Sequence, residues 1–220
     1  MVRGFVITAA VAALAGSAQA GFGQFAEQQS EFFDFALSPG AAVLTFDKFD
    51  TMGGTRELVA VEMSFIAKVS AAVDAENDSS IDAPNFGVNL AGFVNVNALS
   101  LAGTGTVSLT EFAAVGPTDG VVGSGPDFHD FGLLSQNTSD GDLAFLPAEL
   151  LAFIGPGTFD ANVDGSAGFA VTGSTDSTIH TTDFGAAGKV QVVYYYNLVP
   201  TPGAAALMGF AGLVGLRRRR

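Results

Sequence analysis

The stretch VAVEMSFIAKVSAAV, residues 59–73, places apolar side chains at every second position over fifteen residues. One face carries valine, methionine, phenylalanine and alanine from Val59 to Val73, and the other carries Glu62, Ser64, Lys68 and Ser70. A period of two predicts a β-strand with one buried and one solvated face, which is typical of antiparallel sheets. Because the run exceeds the usual strand length, we expect a bend or bulge within it.

Further alternating runs lie on both sides of this stretch, at residues 41–49, 88–96, 104–112, 169–172 and 189–197. They are separated by glycine-containing turn signals. The signals are Met52-Gly53-Gly54, Asp119-Gly120, Ser124-Gly125-Pro126, Asp140-Gly141, Gly155-Pro156-Gly157 and Asp164-Gly165. We therefore predict an all-β fold, an antiparallel β-sandwich of jelly-roll type. Short helices are expected at residues 147–154, where Pro147 suits the first helical position, and at residues 25–35.

The two ends of the chain predict export. Residues 1–20 combine Arg3, an apolar run at 5–14 and the small-x-small pattern of Ala18 and Ala20, which is typical of a signal peptide cut by signal peptidase to leave Gly21. Residues 199–220 contain fourteen apolar residues, 203–216, closed by four arginines. A run this short predicts a thin transmembrane helix with the arginines in the cytoplasm, so the body at 21–198 lies outside.

The tail begins Val199-Pro200-Thr201-Pro202-Gly203 and ends Arg217-Arg218-Arg219-Arg220. A Pro-x-Pro motif, a short apolar helix and a terminal arginine cluster resemble the PEP-CTERM sorting signal of Gram-negative bacteria. That resemblance implies cleavage by exosortase, a membrane transpeptidase, after transient anchoring in the inner membrane. Members are usually surface or extracellular-matrix proteins, whose partners would be exopolysaccharide or other surface proteins. Thr201 stands where the family usually has Glu, which leaves the subtype of the sorting enzyme open.

The body also resembles the choice-of-anchor E domain. The resemblance rests on LTFDKFD at 44–50, Gly54-Thr55, residues 58–61, Glu76-Asn77 and the closing strand at 190–196. It implies no established catalytic activity.

The charge and amino-acid composition of the body exclude several classes of function. The body carries all 22 acidic residues and only four basic ones, a net charge of −18, which repels nucleic acid and attracts divalent cations. Without cysteine, disulfides and a thiol nucleophile are excluded. Of the two histidines, His129 and His180, the first lies between Asp127 and Asp130, which would orient it, but no nucleophile elbow accompanies it.

Alternating carboxylates favour calcium, a hard cation that prefers oxygen ligands. The first candidate ligands are Asp74, Glu76, Asp78 and Asp82. Their spacing begins like a calcium loop, but Ser79 and Asn85 occupy the positions of its glycine and its bidentate glutamate. Other loops offer alternatives, namely Asp119, Asp127 and Asp130, or Asp140 with Asp142.

We therefore predict a non-enzymatic, surface-sorted structural or matrix protein. The alternatives are a calcium-dependent carbohydrate- or protein-binding module, for which Tyr195 could stack on a sugar, and, third, a secreted enzyme.

Overall fold

The structure is a computed structural model, and it describes residues 24–200. Eight antiparallel strands form two four-stranded sheets. The strands are β1 Phe25–Ala36, β2 Gly40–Asp47, β3 Arg56–Asn77, β4 Ala83–Ala98, β5 Leu101–Val115, β6 Phe128–Ala144, β7 Thr158–Thr172 and β8 Ser177–Leu198. The predicted all-β sandwich is confirmed.

The strand orders are β1-β8-β3-β6 in the first sheet and β2-β7-β4-β5 in the second. Strand β1 pairs with β8, β2 with β7, β3 with β6 and β4 with β5, so the chain is a long hairpin rolled into two layers. This nested pairing is the jelly-roll arrangement.

The stretch that opened the sequence analysis forms most of β3, the longest strand together with β8 at 22 residues each. Side chains alternate between buried and outer positions from Val61 to Val73, as predicted. The expected irregularity is present, because the pairing register shifts between Leu58 and Ala60, and again near Ser70 and near Asp74. The first shift turns Leu58 into the core in place of Val59.

The core lies between the sheets. Its fully buried side chains include Met63 and Phe65 of β3, Leu90 of β4, Val190 of β8 and Phe46 of β2. Burial of large apolar side chains contributes about 1.5–3 kcal/mol each, which makes this interior the main source of stability.

Residues 25–35, predicted as a short helix, form strand β1, so that prediction is wrong. The inward positions of this strand carry polar side chains, because Glu27 pairs with Arg56 and Gln29 bonds to the backbone of Asp47. The alternation of apolar and polar residues that marks a strand is therefore absent from the start of β1.

Two of the predicted turns are also wrong. Asp140-Gly141 lies inside β6, and Asp164-Gly165 lies inside β7. Both glycines serve close packing, since a Cβ at Gly141 would lie 2.7 Å from the carbonyl oxygen of Met63 and one at Gly165 would lie 3.1 Å from that of Phe93. The glycine therefore marks a close approach of two strands in each case.

The predicted helix near Pro147 is present as one α-helical turn, α1 Pro147–Leu150, followed by a 3₁₀ turn at Leu151–Phe153. Within residues 24–200, no helix has the length and apolar character needed to cross a membrane. The predicted signal peptide and the tail from Thr201 onward lie outside the described residues.

The sandwich has two distinct ends. At the terminal pole the first and last described segments lie side by side, where Phe25 pairs with Tyr196 and Arg56 pairs with Leu198. At the far pole Asn77 pairs with Ser177. With about 3.3 Å per residue, β3 separates the two poles by about 70 Å.

Candidate functional site

A groove of about 360 Å³ lies where the edge strand β5 of one sheet meets the edge strand β6 of the other. Its lining combines apolar and polar side chains. They are Leu109, Glu111, Phe112, His129, Asp130, Phe131, Leu133, Leu134 and Ser135. Phe112 and Leu133 are both more than half exposed, so the groove offers apolar surface beside hydrogen-bonding groups.

His129 contributes an aromatic edge to this groove. Its ring meets that of Phe131 edge-on, with 4.7 Å between centroids, and Phe131 in turn packs near the buried ring of Phe86. The carboxylates on either side in sequence do not clamp the imidazole. Asp127 accepts from the backbone N–H of Asp119, and Asp130 accepts from that of Gly132.

The first predicted calcium ligands are spread over different surroundings. Asp74 lies in β3, where its register partners are Asp130 and His180 on the two neighbouring strands. Glu76 is buried and accepts a hydrogen bond from the backbone of Gly123. Asp78 accepts from Thr178 at 2.8 Å, and Asp82 is exposed. Across the described chain, no three acidic or histidine side chains converge closely enough to hold a metal among themselves.

Asn77 joins the loops of the far pole, a role that its sequence context did not reveal. Its side chain is fully buried, and its amide donates to the carbonyl oxygens of Ile81 at 2.9 Å and Gly116 at 2.7 Å. Its side-chain oxygen accepts from the Ser174 hydroxyl at 2.6 Å and from the backbone N–H of Ser79. One side chain thus fastens three separate loops to the end of β3.

A second arrangement at this pole involves Asp119 and Asp127. Asp127 is 2% exposed; its Oδ2 accepts from Asp119 N–H at 3.0 Å, while its Oδ1 is buried without a hydrogen-bond donor in the described structure. Oδ1 of Asp119 accepts from Val121 N–H at 2.8 Å. The remaining oxygen of each carboxylate lies against Gly125.

Asp140 and Asp142, the third predicted set, serve the flank between β5 and β6. Asp142 accepts from the backbone N–H of Ala102 at 3.1 Å, and Asp140 from that of Thr104 at 2.8 Å. Gln136 does the same for Ser108 at 2.8 Å. The bond from Thr104, followed by that from Gly141, lowers the pKa of Asp140 below its ordinary value of 3.8.

The opposite flank, between β1 and β2, is joined in the same way. The Gln29 side chain donates to the Asp47 carbonyl at 3.0 Å and accepts from the Asp47 N–H at 2.8 Å. Tyr194 donates to the same carbonyl at 2.7 Å. Burial, followed by the charges of Glu27 and Asp47, raises the pKa of the Tyr194 hydroxyl.

The neighbouring tyrosines face different surroundings, as strand alternation requires. Tyr195 donates to Glu62 at 2.7 Å; partial burial and this contact raise its pKa to about 12. Tyr196 packs against the Arg56 guanidinium, which lies 4.4 Å from its ring centre and 4.5 Å from that of Phe49. Arg56 also forms an ion pair with Glu27 at 2.7 Å.

The described part of the tail begins at the terminal pole. Val199 donates its N–H to the Thr55 carbonyl at 2.8 Å, and Pro200 is exposed. Gln24 N–H donates to the Asn197 side chain at 3.1 Å, so both segments leave the sandwich together. Gly21, Thr201 and the other predicted processing residues lie outside the described range.

Comparisons with known proteins add little to this geometry. No protein-family model matches the chain, and no curated protein matches it. Two solved structures of infectious bursal disease virus are weakly similar. The Gx strain structure has a TM-score of 0.21 at 9% identity, and the Gt strain structure has 0.12 at 11%. Each alignment covers 89% of this chain but only 43% and 50% of the viral chains, and such scores carry no argument about fold or function.

Proposed function

We propose that this chain is an exported, surface-sorted structural or matrix protein of a Gram-negative envelope or exopolysaccharide, and that it is not an enzyme. The observation that supports this most directly is the meeting of both described ends at the terminal pole, where Gln24 bonds to Asn197. A domain attached at one pole presents its far pole about 70 Å from the point of attachment.

The same geometry suits processing of the tail. The last backbone bond of the described tail is that of Val199, so Pro200 follows immediately beyond the sandwich, and Pro202 comes two residues later in the sequence. Their fixed backbone angles favour an extended chain that enters a protease cleft without unfolding a helix. In this proposal, signal peptidase releases the N-terminus, the arginine cluster holds the tail in the inner membrane, and an exosortase-type transpeptidase then cuts near residues 200–203.

Mass spectrometry of protein released from the surface of intact cells tests this proposal. We expect a mature N-terminus at Gly21 and no peptide beyond residues 200–203. Surface protein that still ends at Arg220 would show a plain anchor and overturn the sorting mechanism. As a control, deletion of residues 217–220 should disturb retention while the melting temperature of the body stays unchanged.

The groove between β5 and β6 favours a second candidate function, a calcium-dependent carbohydrate- or protein-binding module. It places Phe112, a flat apolar ring, beside Glu111 and Asp130, which accept hydrogen bonds from sugar hydroxyls. Titration calorimetry with the exopolysaccharide of the host, in calcium and in chelator, should give heat that Phe112→Ala abolishes. Hydrolase assays with His129→Ala as control address the third candidate, a secreted enzyme.

A further inference from the structure

The far pole includes the acidic side chains of Asp74, Asp78 and Asp127, and it belongs to a stretch of sequence without basic residues. Residues 69–188 contain fifteen acidic residues and neither lysine nor arginine. Of the four basic residues of the described chain, Arg56 lies at the terminal pole, Lys48 follows the end of β2, and Lys68 and Lys189 lie in the middle of their strands. A concentration of one sign of charge attracts counter-ions, and divalent cations most strongly.

Within this field, Asp127 is the side chain that most needs a partner. Its Oδ1 is buried and receives no hydrogen bond from the described residues. A buried carboxylate is costly unless it is paired with a positive charge or coordinates a metal. No lysine or arginine is available to supply that charge in residues 69–188.

Gly125 allows the carboxylate of Asp119 to approach the backbone beside this oxygen. A Cβ added to Gly125 would lie 2.9 Å from Oδ1 of Asp127 and closer still to Oδ2 of Asp119. Oδ2 of Asp119 lies where a side chain at residue 125 would be, so two carboxylate oxygens from different parts of one loop lie close together beside the backbone of Gly125. The φ angle of Gly125, +111°, is one that other residues rarely adopt, so this loop shape requires glycine.

We propose that these two carboxylates form a Ca²⁺ site, with Oδ2 of Asp119 and Oδ1 of Asp127 as its carboxylate ligands. Calcium binds six to eight oxygens at about 2.3–2.6 Å, and main-chain carbonyls and water complete its shell in many proteins. The two carboxylates are held in place by backbone donors, since Asp119 accepts from Val121 N–H and Asp127 accepts from Asp119 N–H. Magnesium fits less well, because it demands a compact octahedron and gives up its water reluctantly.

The ion would order the loop at residues 116–127 against the end of β3. That loop already touches β3 through Glu76, which accepts from Gly123, and through Asn77, which donates to Gly116. It also displays Val121 and Val122, which are 58% and 86% exposed. The site is independent of how the tail is processed, so its failure and that of the sorting proposal are separate results.

Calorimetry and thermal unfolding of the full chain in detergent test the site. We expect one Ca²⁺ per chain and, at ten times the dissociation constant, a melting temperature about 3–6 °C above that in chelator. Asp127→Asn keeps the shape but removes the charge, so it should abolish the calcium response and melt in chelator no lower than the unaltered protein. Gly125→Ala should abolish the response, because its Cβ would displace the carboxylate of Asp119. Asp82→Asn, which removes one exposed charge from the same pole, should retain it.

Equal melting temperatures in calcium and chelator would overturn the proposal. A calcium response that survives Asp127→Asn, or that Asp82→Asn abolishes, would place the ion elsewhere and overturn it equally. A response to magnesium as large as that to calcium would contradict the choice of ion.

Discussion

Replacing Asn77 by alanine tests whether one buried amide holds the far pole together. The substitution removes four side-chain hydrogen bonds, to Ile81, Gly116, Ser79 and Ser174. Each contributes about 1 kcal/mol net, and a buried group left without its partner costs about 1–3 kcal/mol. Water entering the loosened loops offsets part of that cost. We therefore expect Asn77→Ala to lower the free energy of unfolding by about 3–5 kcal/mol.

Thermal unfolding followed by circular dichroism measures this loss. At about 2–4 °C per kcal/mol for a domain of this size, the melting temperature should fall by about 10 °C. The matched control is Asn97→Ala, at an exposed position of β4, which should stay within about 1 °C because surface substitutions have small effects.

Asn77→Asp is a sharper variant, because it keeps the size of the side chain but loses the amide donor. A carboxylate would face the carbonyl oxygens of Ile81 and Gly116, so the loss should be at least that of alanine. If Asn77→Ala melts within 2 °C of the unaltered protein, the loops are held by other contacts and the reasoning fails.

Three further predictions concern charged and phenolic side chains. Arg56→Met should lower the free energy of unfolding by about 2 kcal/mol, because it loses both ring contacts and the ion pair. Glu27→Gln keeps the ring contacts and should lower it by less than half as much, as measured by urea unfolding. The pKa of Asp140 is lowered in the fold, so its contribution to stability is present above about pH 4 and disappears as the pH falls through its folded pKa. Asp140→Ala should therefore reduce the loss of stability with falling pH. An unchanged pH dependence would contradict the hydrogen bond from Thr104 N–H to Asp140 as its source. The pKa of Tyr195 is raised to about 12, so its contribution is complete below pH 10 and is lost as the pH rises through 12. Absorbance of tyrosinate measures the ionisation directly, because the chain has three tyrosines and no tryptophan. Tyr195→Phe should remove a titration step at high pH, and Glu62→Gln should shift that step to lower pH.

The strands that could be predicted from sequence are those whose inward face is apolar. Strand β3 is the clearest case, since Met63, Phe65 and Val69 repeat at a period of two and are all buried. Strand β1 could not be predicted, because Glu27 and Gln29 face partners that are distant in sequence. Asp140-Gly141 has the sequence of a turn, but the structure requires its glycine for a different reason. The backbone of β3 lies too close to Gly141 for a side chain to fit.

The candidate calcium site could likewise be predicted from the sequence only in part. Composition alone predicted an acidic surface that attracts cations, and Asp119 and Asp127 were among the possible ligands. Residues 74–82 were predicted to form one acidic loop, but β3 continues to Asn77 and holds Asp74 and Glu76 by strand pairing. The approach of Asp119 to Gly125 and the unpaired oxygen of Asp127 depend on how the loop folds back, which no local pattern encodes.

The side-chain bonds along the two flanks have a consequence for behaviour at high concentration. Long strands rich in valine and phenylalanine are the segments that recruit identical copies into cross-β fibres, and the exposed backbone of an edge strand is where recruitment starts. Here Asp140, Asp142 and Gln136 occupy backbone donors of β5, and Gln29 occupies both backbone groups of Asp47. A neighbouring molecule would have to displace these intramolecular partners before adding a strand. Packed densely, such domains are therefore guarded against amyloid-like growth and left to associate through their faces and poles.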